Sequence, residues 1–101
     1  MDEQRAQVNA NGQIAQFDIK ELRLQIDSID DEIRELFLRR MEIAKSISEY
    51  KRENDLPVLN ESREKEIIAR LTNNGNDEMS SYIKDLYEAI FDLSRSYQES
   101  S

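Results

Sequence analysis

IKELRLQIDSIDDEIRELFLRRMEIAKSISEYK, residues 19–51, carries one apolar stripe without a slip. Ile19, Leu22, Ile26, Ile29, Ile33, Leu36, Arg40, Ile43, Ile47 and Tyr50 follow one another in alternating steps of three and four. That alternation keeps one face of a helix turned toward one neighbour, so the stretch predicts a single long helix with a heptad seam. Asp18 is placed to cap it, with Glu21 three residues on as in a capping box and Phe17 and Leu22 spaced for a hydrophobic staple. Nothing interrupts the helix before Lys51, and Leu56-Pro57 forces residue 56 into an extended conformation beyond it. One seam position breaks the rule. Arg40 puts a permanent charge where a partner helix should meet an apolar side chain.

Outward from the long helix, Asn60 is a plausible cap for a shorter one with Ile67, Ile68 and Leu71 on its buried side. Asn73-Asn74-Gly75-Asn76 stops it, Gly75 being suited to the left-handed position past a helix end. A third helix is expected over roughly residues 77–98, with Met79, Ile83, Leu86, Ile90, Leu93 and Tyr97 on one stripe. Residues 1–16 show no sustained period and contain Asn11-Gly12, which reads as a flexible N-terminal arm. The fold class is all-α: one long, one short and one medium helix.

Composition narrows the chemistry. The chain has 101 residues, enough for one domain with a modest core, and 36% of them are charged. Helices this charged in a chain this short invite oligomerisation. Two glycines and one proline leave few turn signals, so few and long elements are expected. There is no run of roughly 18 apolar residues and no signal-peptide core, which predicts a cytoplasmic protein. Cysteine and histidine are both absent, which removes disulfides, thiol nucleophiles, imidazole bases and nearly all transition-metal ligation. No metal or cofactor is expected. A net charge of −8 argues against nucleic acid or an anionic membrane as partner. Any anionic ligand must be held by a local cluster of Arg and Lys.

Arg23, Arg40 and Lys51 are the candidates for that cluster. Taken singly, Arg23 and Lys51 are explained as seam-flanking bases that snorkel or form interhelical ion pairs, and Arg40 equally well as a register device. Geometry joins them. Arg40 and Lys51 are about 16 Å apart along a helix, whereas Arg23 lies about 25 Å from Arg40. If two copies pair antiparallel about a two-fold axis centred on the long helix, the partner's Arg23 falls level with about residue 46, between Arg40 and Lys51. Three cations then surround one spot, twice per dimer, and a dianionic small molecule would complete it. On the third helix Ser94 and Gln98 are four apart and share a face, though spacing alone favours an exposed C-terminal turn. Arg63 and Glu64, in the first turn after Asn60, read most simply as a surface ion pair.

LRLQIDSIDDEIRELFLRRMEIAKSISEYK, then LPVLNESREKEI, then YIKDLYEAIFDLSRSYQ together resemble the all-helical class of chorismate mutases, over about residues 19–98. The resemblance assigns residues 17–101 to a chorismate mutase domain and implies an intertwined antiparallel homodimer whose active sites each draw on both chains. By that resemblance, the partner's Arg23 and Arg40 bind the substrate carboxylates, and Lys51 contacts the ether oxygen and a carboxylate. Glu64 holds the substrate hydroxyl with Arg63 as its supporting neighbour, and Ser94 and Gln98 form the third-helix polar pair, Gln98 at the ether oxygen. Asn60 stands where the family commonly has aspartate, and Arg39-Arg40-Met41 departs from an acidic residue followed by two arginines. The implied reaction is the rearrangement of chorismate to prephenate, toward phenylalanine and tyrosine. It needs no nucleophile, metal or proton shuttle, in keeping with the missing histidine and cysteine.

Two other functions fit parts of the pattern. An isochorismate-pyruvate lyase shares the fold and uses a similar cation cluster, but the intact P-V-x-x-x-x-R-E segment with its Glu64 favours the mutase. A non-catalytic helical dimerisation module would explain the heptads, yet not Arg40, Lys51, Arg63, Glu64 and Gln98 at matching positions.

Overall fold

The computed structural model describes residues 7–8, 14–15, 18–73 and 77–100. In chain order these form β1 (Gln7–Val8), β2 (Ile14–Ala15), α1 (Ile19–Glu53), α2 (Glu61–Thr72) and α3 (Asp77–Ser100). The chain divides inside α1 into two compact units, residues 1–38 and 39–101. All three expected helices are present. The first unit also contains a short antiparallel pair, Gln7 opposite Ala15 and Val8 opposite Ile14, which the sequence did not signal. The rest of the 1–16 segment read as an arm, the Phe17 half of the staple, and the Asn74–Asn76 stop with Gly75 all lie outside the described residues.

α1 begins as its first residues dictate. The Asp18 carboxylate accepts the Glu21 backbone N–H at 2.9 Å, satisfying one of the donors that a helix start leaves open. Through the first unit the seam side chains Ile19, Leu22, Ile26, Ile29, Ile33 and Leu36 are all exposed. The far end of α1 closes in a Schellman motif. The Leu56 N–H reaches back to the Lys51 carbonyl at 2.7 Å and the Asp55 N–H to the Arg52 carbonyl at 3.3 Å. Asp55 takes the left-handed position with φ of 56°, where glycine is usual. The chain then passes Pro57 and a bend at Val58 to reach Asn60, whose side chain accepts the Arg63 N–H at 3.0 Å and so caps α2.

In the second unit α2 packs against α3. Ile67 of α2 and Phe91 of α3 are buried, Ile68 and Leu71 half-buried. Ser48 of α1 and Ser94 of α3 are also buried; the Ser94 hydroxyl lies 3.5 Å from the Met41 sulfur, and the Ser48 hydroxyl bonds back to the Lys45 carbonyl. The face of α3 that its own chain buries is therefore Phe91–Ser94, with Tyr87 and Gln98 half-buried on the same side. The stripe expected from periodicity is displaced from this face: Leu86 and Leu93 are exposed, Ile83 and Ile90 half-buried. Two adjacent apolar stripes run along α3, and only contact with the rest of the unit decides which one goes inside.

Candidate active site

A cavity of about 290 Å³ opens in the second unit among α1, α2 and α3. This is near the lower end of the range for small-molecule sites. Its apolar lining is Ile43, Ala44 and Ile47 of α1, Val58, Ile67 and Phe91. Its polar lining is Arg40, Lys51, Asn60, Arg63, Glu64, Ser94, Arg95 and Gln98. Seven of the eight site residues expected from sequence thus border one cavity. The eighth, Arg23, is exposed on α1 in the first unit and does not line it.

Arg40 is held by aromatic faces. Its guanidinium carbon lies 5.8 Å from the Tyr87 ring centroid and 5.6 Å from that of Phe91, and these two rings meet edge to face at 5.9 Å. Cation–π attraction fixes the head group without using its N–H donors. Among the described residues no hydrogen bond or ion pair engages those donors. The charge in the seam is thus turned against α3, half-buried.

Lys51 sits just inside the end of α1. Its ammonium donates to the Val58 carbonyl at 2.9 Å, so the segment after the Schellman turn anchors it. An ammonium carries three donors, and two remain for a ligand. Ser94 is buried and Gln98 half-buried on one face of α3, which corrects the exposed C-terminal turn favoured by spacing. Packing of α2 on α3 draws that turn inward.

Arg63 and Glu64 do not pair with each other. Arg63 bonds Glu66 at 2.7 Å on an exposed stretch of α2. Glu64 instead forms an ion pair with Arg95 of α3, which also engages Asp92. Arg95 escaped the sequence reading. It follows Ser94 directly and so lies off the Ser94–Gln98 face by helical periodicity; only its long side chain brings the guanidinium to Glu64. The lining therefore holds four cations, Arg40, Lys51, Arg63 and Arg95, against one carboxylate, Glu64, in a chain of net charge −8. Apolar walls around such a cluster suit a small, multiply anionic ligand with an apolar body.

Residues 22–99 match the family described as chorismate mutase type II. A bifunctional chorismate mutase/prephenate dehydratase of Aquifex aeolicus (strain VF5) is 43% identical over 54 residues, 54% of this chain and 15% of the relative. One of the same description from Buchnera aphidicola subsp. Schizaphis graminum (strain Sg) is 33% identical over 79 residues, 76% of this chain and 20% of the relative. The chain thus spans no more than a fifth of the length of these relatives. No solved structure matches it.

Proposed function

The chain belongs to the type II chorismate mutase family, and on that premise we propose that the cavity of the second unit is where chorismate is bound and rearranged to prephenate. The activity is that of an isomerase in aromatic amino acid biosynthesis. One observation carries the assignment of the site: Arg40, Lys51, Glu64, Ser94 and Gln98, far apart in sequence, border a single cavity.

The reaction is unimolecular. An ether C–O bond breaks while a C–C bond forms, and no group leaves. The residues have two tasks, to hold the chain of reacting atoms folded and to stabilise the charge that grows on the ether oxygen. Arg40 takes a carboxylate, its fork aimed by the Tyr87 and Phe91 rings. Lys51, anchored on Val58, directs its remaining donors to the ether oxygen and a carboxylate, and the Gln98 amide supplies the second donor to that oxygen. Glu64 accepts the substrate hydroxyl, Arg63 supports it from the adjacent position, and the Ser94 hydroxyl completes the polar wall with the Asn60 side chain. In Asn60 the oxygen is committed to the helix cap, so its amide N–H₂ is what faces a ligand.

The working unit is a homodimer, paired antiparallel along α1, with Arg23 delivered to the partner's cavity. What supports this is the apolar seam exposed along the first unit, together with Ile43, Ile47 and Tyr50. Leaving so many large apolar side chains in water forfeits about 1.5–3 kcal/mol for each that could be fully buried. The purified chain should consume chorismate and release prephenate, followed by loss of chorismate absorbance and by product chromatography. Inertness toward chorismate, with isochorismate converted to salicylate, would replace the mutase reading by the lyase.

A further inference from the structure

We propose that Arg95 is a positioning residue for Glu64, holding that carboxylate in the one orientation from which it accepts the substrate hydroxyl. The proposal rests on the reading of the cavity as the chorismate site. Arg95 and Glu64 come from different helices, α3 and α2, and both side chains are 27% exposed. A contact so far shielded from water is worth more than a surface pair between mobile side chains.

The guanidinium is forked. One terminal nitrogen bonds Glu64 Oε2 and the other bonds Asp92 Oδ1, one turn back on α3. Asp92 thus fixes the plane of the fork from the solvent side, and the fork fixes Glu64. Among the described residues nothing donates to Glu64 Oε1, which is left to accept from a ligand. Glu64 also lines the cavity. Without Arg95, its carboxylate would turn among rotamers and would repel a dianionic substrate. The ion pair removes both obstacles while leaving one oxygen in use. A lysine would keep the charge but could not engage two carboxylates in a fixed plane.

A double-mutant cycle on the full chain tests this, using wild type, Arg95→Gln, Glu64→Gln and the double variant, with kcat and KM for chorismate measured for each. Arg95→Gln should lower kcat/KM by about 10-fold to 100-fold, the range for losing a hydrogen bond to a charged group. In the Glu64→Gln background the same change should alter kcat/KM by less than about twofold, because the residue through which Arg95 acts is already gone. Losses that multiply across the cycle would mean that Arg95 touches the substrate itself, and would overturn the positioning role. So would an Arg95→Gln chain that keeps its helicity and stays within twofold of wild type. If Arg95→Gln melts below the assay temperature, Arg95→Lys reads the same coupling, with a severalfold loss expected only where Glu64 is present. A wild-type chain inert toward chorismate overturns the assignment of the site as well, so the two failures are distinguishable.

Discussion

Lys51 illustrates how one side chain serves structure and chemistry together. Its carbonyl accepts the Leu56 N–H that closes the end of α1, and its ammonium reaches over to the Val58 carbonyl. The turn that ends the helix therefore aims the cation into the cavity. Lys51→Ala keeps the backbone half of this arrangement and removes the cation, so circular dichroism should show unchanged helicity while kcat falls by roughly two to three decades. A variant that retains near-normal turnover would remove Lys51 from the reaction. Gln98 makes a different test, because its amide donates whatever the pH. Gln98→Glu replaces that donor by a carboxyl that donates only when protonated, near its ordinary range of about pH 4. Activity of this variant should rise as pH falls from 7 toward 5, whereas wild type should hold its activity over the same interval. A parallel pair of profiles would place Gln98 away from the ether oxygen.

At the level of elements, the joint between α1 and α2 decides whether the cavity is built, and it contains a residue working against its own preference. Asp55 holds φ of 56° at the position after the helix end where glycine avoids a Cβ clash. Asp55→Gly should raise the free energy of unfolding by about 1 kcal/mol, read from denaturant midpoints at unchanged slope. This turn was not legible in the sequence, since the left-handed residue is an aspartate and only the following Leu56-Pro57 gave a stop signal. The caps at Asp18 and Asn60 were legible because they depend on contacts three residues away. Of the seven lining residues expected, Arg40 and Lys51 were legible from the seam and helix geometry, and Asn60, Arg63, Glu64, Ser94 and Gln98 only through the family resemblance. Arg95 and the Phe91 face of α3 were not. Both depend on how α2 meets α3, and periodicity within one helix says that a stripe is apolar without saying what covers it. The pairing of Gln7–Val8 with Ile14–Ala15 was not legible either, because two-residue strands are too short to show an alternation.

For the molecule as a whole, the question is what covers the seam of α1. Ile19 remains 61% exposed, and Ile33 and Leu36 are at 58%. Among the described residues only Ile67 and Phe91 are buried as large apolar side chains. Two such side chains, at about 1.5–3 kcal/mol each, fall far short of offsetting the entropy of ordering the helices. In the homodimer we propose, a second copy laid antiparallel along the seam would supply the missing core and, by the same symmetry, carry Arg23 to the other cavity. This makes a prediction that stability measurements alone could not reach. Arg23→Ala and Lys51→Ala chains should each be nearly inactive alone. Unfolded together and refolded, they exchange partners, and in the mixed dimer one cavity receives an intact Arg23 beside an intact Lys51. With random pairing half the dimers are mixed and each has one working site, so the mixture should recover about a quarter of wild-type activity. Recovery requires that the two residues serve one site from different chains. A mixture as inactive as its components, with mixed dimers verified by mass, would mean that each site takes both residues from one chain.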